Sequence, residues 1–128
     1  MTSSALLKAI RVVWMPVAVI ATHWLAAAIF GHQRQLDPFF HLAGGVAGAD
    51  ALWCLLSFAP AEQARRIPHR TAFVVGSVLV VALLWEGGEL LSDRWRGTHI
   101  QAGPFDTWSD VALGVAGAVI RSIGRGRV

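Results

Sequence analysis

The sequence predicts an all-α, polytopic membrane protein, a four-transmembrane-helix bundle forming one domain over residues 1–128 with both termini cytoplasmic. Three observations carry that expectation. Hydrophobic residues make up 55% of the chain and charged residues only 15%, a balance too apolar for an ordinary soluble domain. The apolar residues fall into four runs, at about 12–30, 38–58, 71–91 and 105–123. Each comes near the roughly 20 residues that cross a hydrocarbon layer of about 30 Å. Lysine and arginine, finally, gather on alternating sides of those runs. Four crossings with short connections use nearly all of the 128 residues and leave no room for a soluble catalytic domain.

The first run follows Lys8 and Arg11 and ends in Ala26, Ala27 and Ala28, a pattern shared with secretory signal peptides. His23 and Trp24 stand ahead of the would-be cleavage site, so the run is read as a retained span. In the second, Asp37 and His41 lead into Gly44, Gly45 and Gly48, and Asp50 sits near its middle. Pro60 and Pro68 separate it from the third run, which is apolar from Phe73 to Leu84 and then reaches Glu86 and Glu89. A loop with Arg94, Arg96, Gly97, His99 and Gly103 follows, glycine-containing enough to act as a lid. Pro104 opens the fourth run, in which Asp106, Asp110, Gly114, Gly117 and Arg121 follow one helical stripe. Small-residue stripes mark close helix approach in membranes, and Trp14, Trp53, Trp85, Trp95 and Trp108 are placed to act as interfacial anchors.

Orientation comes from the cations. Lys8, Arg11, Arg65, Arg66, Arg70, Arg121, Arg125 and Arg127 make eight on one side, against Arg34, Arg94 and Arg96 on the other. The positive-inside rule puts the richer side, with both termini, in the cytoplasm. A net charge of +3 does not point to nucleic acid, because the cations lie between apolar runs and form no continuous stripe. One cysteine, Cys54, allows neither an internal disulfide nor a cysteine metal site within the chain.

With that topology, Asp37, His41, Glu86, Glu89, Asp106 and Asp110, from three runs, share one membrane depth just beneath the outer face. Each pair is three or four residues apart and therefore lies on one helix face. At 1.5 Å rise per residue, Glu86 falls about 10 Å below the outer surface. An uncompensated carboxylate there costs on the order of 3 kcal/mol. Three compensations exist: a bound cation, protons shared among the carboxyls, or cationic partners such as His41, Arg94, Arg96 or His99. The metal reading takes His41, Glu86, Glu89, Asp106 and Asp110 as ligands, a hard set that suits Mg²⁺, Mn²⁺ or Ca²⁺ and, through the imidazole, Zn²⁺ or Fe. A catalytic reading gives Glu86, Asp110 and His41 the acid–base work.

The segments Asp37-Pro-Phe-Phe-His41, Trp85-Glu86-Gly-Gly-Glu89 and Phe105-Asp106-Thr-Trp-Ser-Asp110, followed by Gly114 and Gly117, resemble those of small bacterial YjdF-like membrane proteins. VanZ-like proteins are a more distant likeness. The resemblance spans about residues 37–120 and rests on D-x-x-x-H, W-E-x-x-E and D-x-x-x-D in that order. It implies a multi-pass protein of the bacterial inner membrane whose histidine and acids form a site, while VanZ-like proteins' association with glycopeptide resistance points to the envelope. The chain is shorter than the usual YjdF-like protein, with fewer spans.

Each residue also has a plainer reading. Glu86 and Glu89 would be merely solvated if Gly87 and Gly88 fray the helix end, and Asp106 and Asp110 would serve the helix N-terminus. His41 would be a hydrogen-bonded helix-start histidine, and His23 a structural interhelical contact. Three function classes follow: a metal-assisted membrane enzyme with a lipid or envelope substrate, a proton or cation transporter, and an accessory subunit of a larger complex or homo-oligomer. Membrane lipids are the expected surroundings in all three. A transporter needs polar groups through the inner half, where only His23 and Asp50 stand.

Overall fold

Among the described residues, four helices account for the architecture: α1 (Ser3–Phe30), α2 (Asp37–Phe58), α3 (Arg70–Arg96) and α4 (Pro104–Ile123). The computed structural model describes residues 3–31, 35–60, 62–63, 67, 69–98, 100–101 and 103–125. Expectations resting on Arg34, Arg65, Arg66, Pro68, His99 and Arg127 fall outside these residues. Each apolar run lies inside one helix, and α1 and α3 extend well past theirs.

Three helices, α1, α2 and α3, are long and apolar enough to cross a membrane. Helix α4 is not among them and carries Asp106, Asp110 and Arg121. No residue of α1 is buried, and its Leu7, Leu25 and Ile29 are 60–64% exposed. Apolar exposure on that scale is unfavourable in water and costs nothing against lipid chains.

Small residues hold the bundle together. The buried positions of α2 are Gly45, Ala47 and Ala49, and those of α4 include Gly114, Gly117 and Ala118. A Cβ at Gly45 would collide with the Gly114 backbone, and one at Gly117 with the Leu42 carbonyl and the Val46 amide. Helices α2 and α4 therefore touch backbone to backbone. They run parallel, since Gly45 meets Gly114 at one level and Trp53 meets Ser122 further along both. Val74 and Val78 of α3 close the core against Ala49 and Ala118. The glycine stripes are used unevenly: a Cβ at Gly44 would meet nothing within 4 Å, and one at Gly48 makes ordinary contact with Val78.

The partner of Asp50 is Arg121. The guanidinium donates from Nε to Asp50 Oδ1 at 2.8 Å and also from Nη2, while Arg125 Nη2 stands 3.6 Å from the same oxygen. Nearby, Trp53 Nε1 donates to Ser122 Oγ at 3.1 Å, so this indole joins α2 to α4. Breaking a sequestered ion pair by deleting one partner strands the other charge and costs about 3–5 kcal/mol. Asp50→Ala is expected to lower the thermal unfolding midpoint in detergent sharply, and Asp50→Ala with Arg121→Leu to recover most of the loss. Equal midpoints for Asp50→Ala and the unmutated protein would contradict this.

Candidate metal site

Helix α2 begins where Pro38 can fill an early helical position without needing an amide hydrogen, which leaves Asp37 in the first turn beside the positive end of the helix dipole. One turn on, His41 lies on the same face. Helix α3 continues unbroken through Gly87 and Gly88 to Arg96, so the frayed-end reading of Glu86 does not hold. Glu86 is only 4% exposed. Helix α4 starts at Pro104, and Asp110, in its second turn, is 3% exposed, too deep to cap the helix.

These helix ends meet around one atom. His41 Nε2 stands 3.5 Å from Asp37 Oδ1, 3.8 Å from Glu86 Oε1 and 3.8 Å from Asp110 Oδ2. Those separations exceed ordinary N–H···O lengths of about 2.7–3.2 Å. The three carboxylates thus face one imidazole nitrogen, Asp37 nearest and Glu86 and Asp110 slightly further off. Glu86 Oε1 is fully buried, and among the described residues no hydrogen-bond donor meets it, although Thr107 in the first turn of α4 also approaches the Glu86 carboxylate.

The other oxygen of Glu86 is fixed by a loop. Asp93 Oδ1 accepts hydrogen bonds from Thr98 Oγ1 at 2.6 Å and from the Ile100 amide at 2.7 Å, and Oδ2 accepts from the Gln101 amide at 2.9 Å. The turn away from α3 uses Gly97 at φ 64°, a left-handed conformation that favours glycine. Gln101 is thereby aimed back at α3, where Nε2 donates to the Glu86 carbonyl at 3.0 Å and to Glu86 Oε2 at 3.2 Å. With Oε2 held this way, Oε1 faces His41.

Asp37, His41 and Asp110 each offer one donor atom, all within 4.8 Å of one another. Two ligands bound to one ion at about 2.0–2.2 Å stand roughly 3.4 Å apart in a tetrahedral shell. The His41 distances to Asp37 and Asp110 are close to that, and Glu86 Oε1 faces the same nitrogen at 3.8 Å from just outside this set of three. Charge supports the same view: even a protonated His41 would balance only one of the three carboxylates around it. Three oxygens and one imidazole nitrogen suit Zn²⁺, Mn²⁺ or Fe²⁺, and Mg²⁺ less well.

The remaining residues singled out from the sequence lie around this centre. Glu89 Oε1 accepts the Trp85 indole N–H at 2.8 Å, and Asp106 occupies the first turn of α4, half-buried. Like Glu86, neither belongs to the set of donors brought within 4.8 Å, and unlike Glu86 neither stands within 4 Å of His41 Nε2 among the described contacts. Arg94 and Arg96 are exposed in the last turn of α3. His23 packs edge-on against Phe40 with ring centroids 4.9 Å apart and against Trp85 at 6.3 Å. Asp50 is bound to Arg121, about 20 Å along α2 from Asp37. Two contributors were not singled out beforehand: Gln101, for which the sequence offers no signal, and Asp93, whose place just before Gly97 is a weak one.

A family model described as a predicted membrane protein, DUF2238, matches residues 1–127. No curated protein and no solved structure matches the chain.

Asp93 organises the loop through charge-assisted bonds, each worth roughly 1.5 kcal/mol. Asp93→Ala is therefore expected to raise hydrogen–deuterium exchange at the Ile100 and Gln101 amides by about tenfold or more. Unchanged protection at both amides would show that the loop is held by other means.

Proposed function

We propose that this chain, a member of the DUF2238 family of predicted membrane proteins, binds a divalent cation through Asp37, His41, Glu86 and Asp110. The observation that carries the reading is the buried, unpartnered Glu86 Oε1, aimed at an imidazole nitrogen that two further carboxylates also face. An orphaned carboxylate oxygen in a water-poor site is costly, and a cation relieves it while drawing the other donors together. Glu89 and Asp106 lie next to the shell and would adjust its charge. In the enzymatic form of this proposal the cation polarises an envelope or lipid substrate for hydrolysis or group transfer, with His41, Glu86 and Asp110 contacting the reacting groups. The resemblance to YjdF-like and, more distantly, VanZ-like proteins supports this placement in the envelope.

The proposal includes a topology: four spans in the bacterial inner membrane, both termini cytoplasmic, and the cation site near the extracytoplasmic face. The distribution of arginine and lysine supports it. Although α4 carries charges, Asp110 is buried and Arg121 is paired with Asp50, so neither meets lipid alone. Fusing a reporter active only in the cytoplasm to the C-terminus is expected to give an active fusion; an inactive, stably inserted one would reverse the orientation.

A transporter is less well supported, because the Asp50–Arg121 pair is internally neutralised and the lining between it and the site is mostly apolar. In an accessory subunit the acids would serve assembly alone, and a carboxylate oxygen without a partner is poorly explained. Metal analysis of purified protein separates these readings. The unmutated chain is expected to retain about one transition-metal ion per molecule, Glu86→Gln to lose it, and Gln101→Ala to bind it about 10–100-fold more weakly. A metal-free unmutated protein that tolerates Asp110→Asn and copurifies with a stoichiometric partner would favour the accessory role.

A further inference from the structure

A cavity of about 290 Å³ lies among α1, α2 and α3. Its volume is near the lower end of ligand pockets, about 300–1,000 Å³. Its walls include Ile20, Gly44, Gly48, Leu52, Val78 and Val81, and they are overwhelmingly carbon. Water gains little in such a space. The lining on α2 runs from Phe40 to Leu52 and on α3 from Ser77 to Trp85, so the cavity extends about 12–18 Å parallel to the helices. One leaflet of a bilayer is about 15 Å deep.

One end of the cavity borders the site through His41. His41, whose Nε2 faces Asp37, Glu86 and Asp110, is itself part of the wall, as is Gly114 beside it. His23 and Trp85 meet across the α1–α3 side through their rings, and no extended helix–helix seam forms there. The lack of a Cβ at Gly44 leaves space in front of α2 that no neighbouring atom fills. Helix α1 has no buried residue and leaves its outer face open.

We propose that this cavity takes one hydrocarbon chain of a membrane amphiphile, admitted between α1 and α3, whose oxyanion head reaches the cation held by Asp37, His41, Glu86 and Asp110. The inference rests on the cation reading and deepens it: the ligand arrives from the bilayer, not from water. Length, apolarity and the chemically distinct end together select a single chain over a peptide helix, whose width of about 10–12 Å needs a broader groove. A divalent cation would offset two of the three carboxylate charges and offer the head oxygen a coordination position, whereas bare carboxylates would repel an anion.

The test reconstitutes the full chain in vesicles of phosphatidylethanolamine and phosphatidylglycerol containing a small fraction of phosphatidylglycerol with a mid-chain diazirine. After irradiation, crosslinks are mapped by mass spectrometry and the metal content of the same preparation is measured. Crosslinks are expected on α2 around Gly44 and Gly48 and on α3 around Val78 and Val81. Gly44→Leu, which fills the space from α2, and Val81→Trp, which fills it from α3, are each expected to cut these crosslinks by about tenfold relative to those on the outer face of α1. A metal-loaded protein labelled only on its outer faces overturns this inference and leaves the cation reading standing. So does labelling that neither variant reduces, or peptide–peptide crosslinks placing a second copy of the chain in the cavity. Cavity labelling in a metal-free protein overturns the cation reading and supports the chain pocket.

Discussion

Where Gly45 meets Gly114, the backbones of α2 and α4 stand so close that only a hydrogen atom fits between them, and the pairing of charged groups between these two helices follows from this contact. Gly117 repeats it one turn later against Leu42 and Val46. Two such contacts fix both the distance and the register of two parallel helices. In that register Asp110 falls level with His41 at one end and Arg121 level with Asp50 at the other. A slip of one helical turn, about 5.4 Å, would undo both pairings at once.

The two charged clusters behave differently although the same helix pair builds them. At Asp50 two guanidinium groups, from Arg121 and Arg125, face one carboxylate, and the charges are met within the chain. At His41 the imbalance runs the other way, with three carboxylates around one imidazole and one buried oxygen without a hydrogen bond. Structural ion pairs are normally completed, because a buried unpaired charge costs several kcal/mol. An incomplete one on which three helices and a loop converge has the character of a binding site. Helix α3 supplies Glu86, the carboxylate whose position the loop after it controls through Gln101.

Much of the site was visible in the residue order. The spacing of Asp37 and His41, the depth of Glu86 and the place of Asp110 in the second turn of its helix follow from helical periodicity and the span boundaries. Periodicity also joined Gly114, Gly117 and Arg121 on one stripe, but it could not say that Arg121 reaches Asp50. Within each pair of acids it could not choose the inner one: Glu86 and Asp110 close on His41, while Glu89 turns to the Trp85 indole and Asp106 stays in the first turn. Members of each pair differ by about 4.5–6 Å along the helix and about 40–60° around it, and the choice is set for α4 by the glycine contact with α2 and for α3 by the packing of Val74 and Val78. Gln101 escaped notice because a loop has no period from which to infer direction. The turn at Gly97 and three bonds to Asp93 aim it.

By itself the residue order determined an all-helical membrane protein, the positions of its helices and the end of the bundle at which the acids collect. These depend on the thickness of the hydrocarbon layer and the cost of placing charge in it, quantities that act on each segment separately. Tertiary structure alone decided which carboxylates share the His41 nitrogen, that Asp50 is answered by Arg121, and that α1, α2 and α3 enclose a cavity ending at His41. Those outcomes turn on distances of an ångström or two between segments far apart in the chain, and such distances are set by packing of one backbone against another, which no single helix encodes.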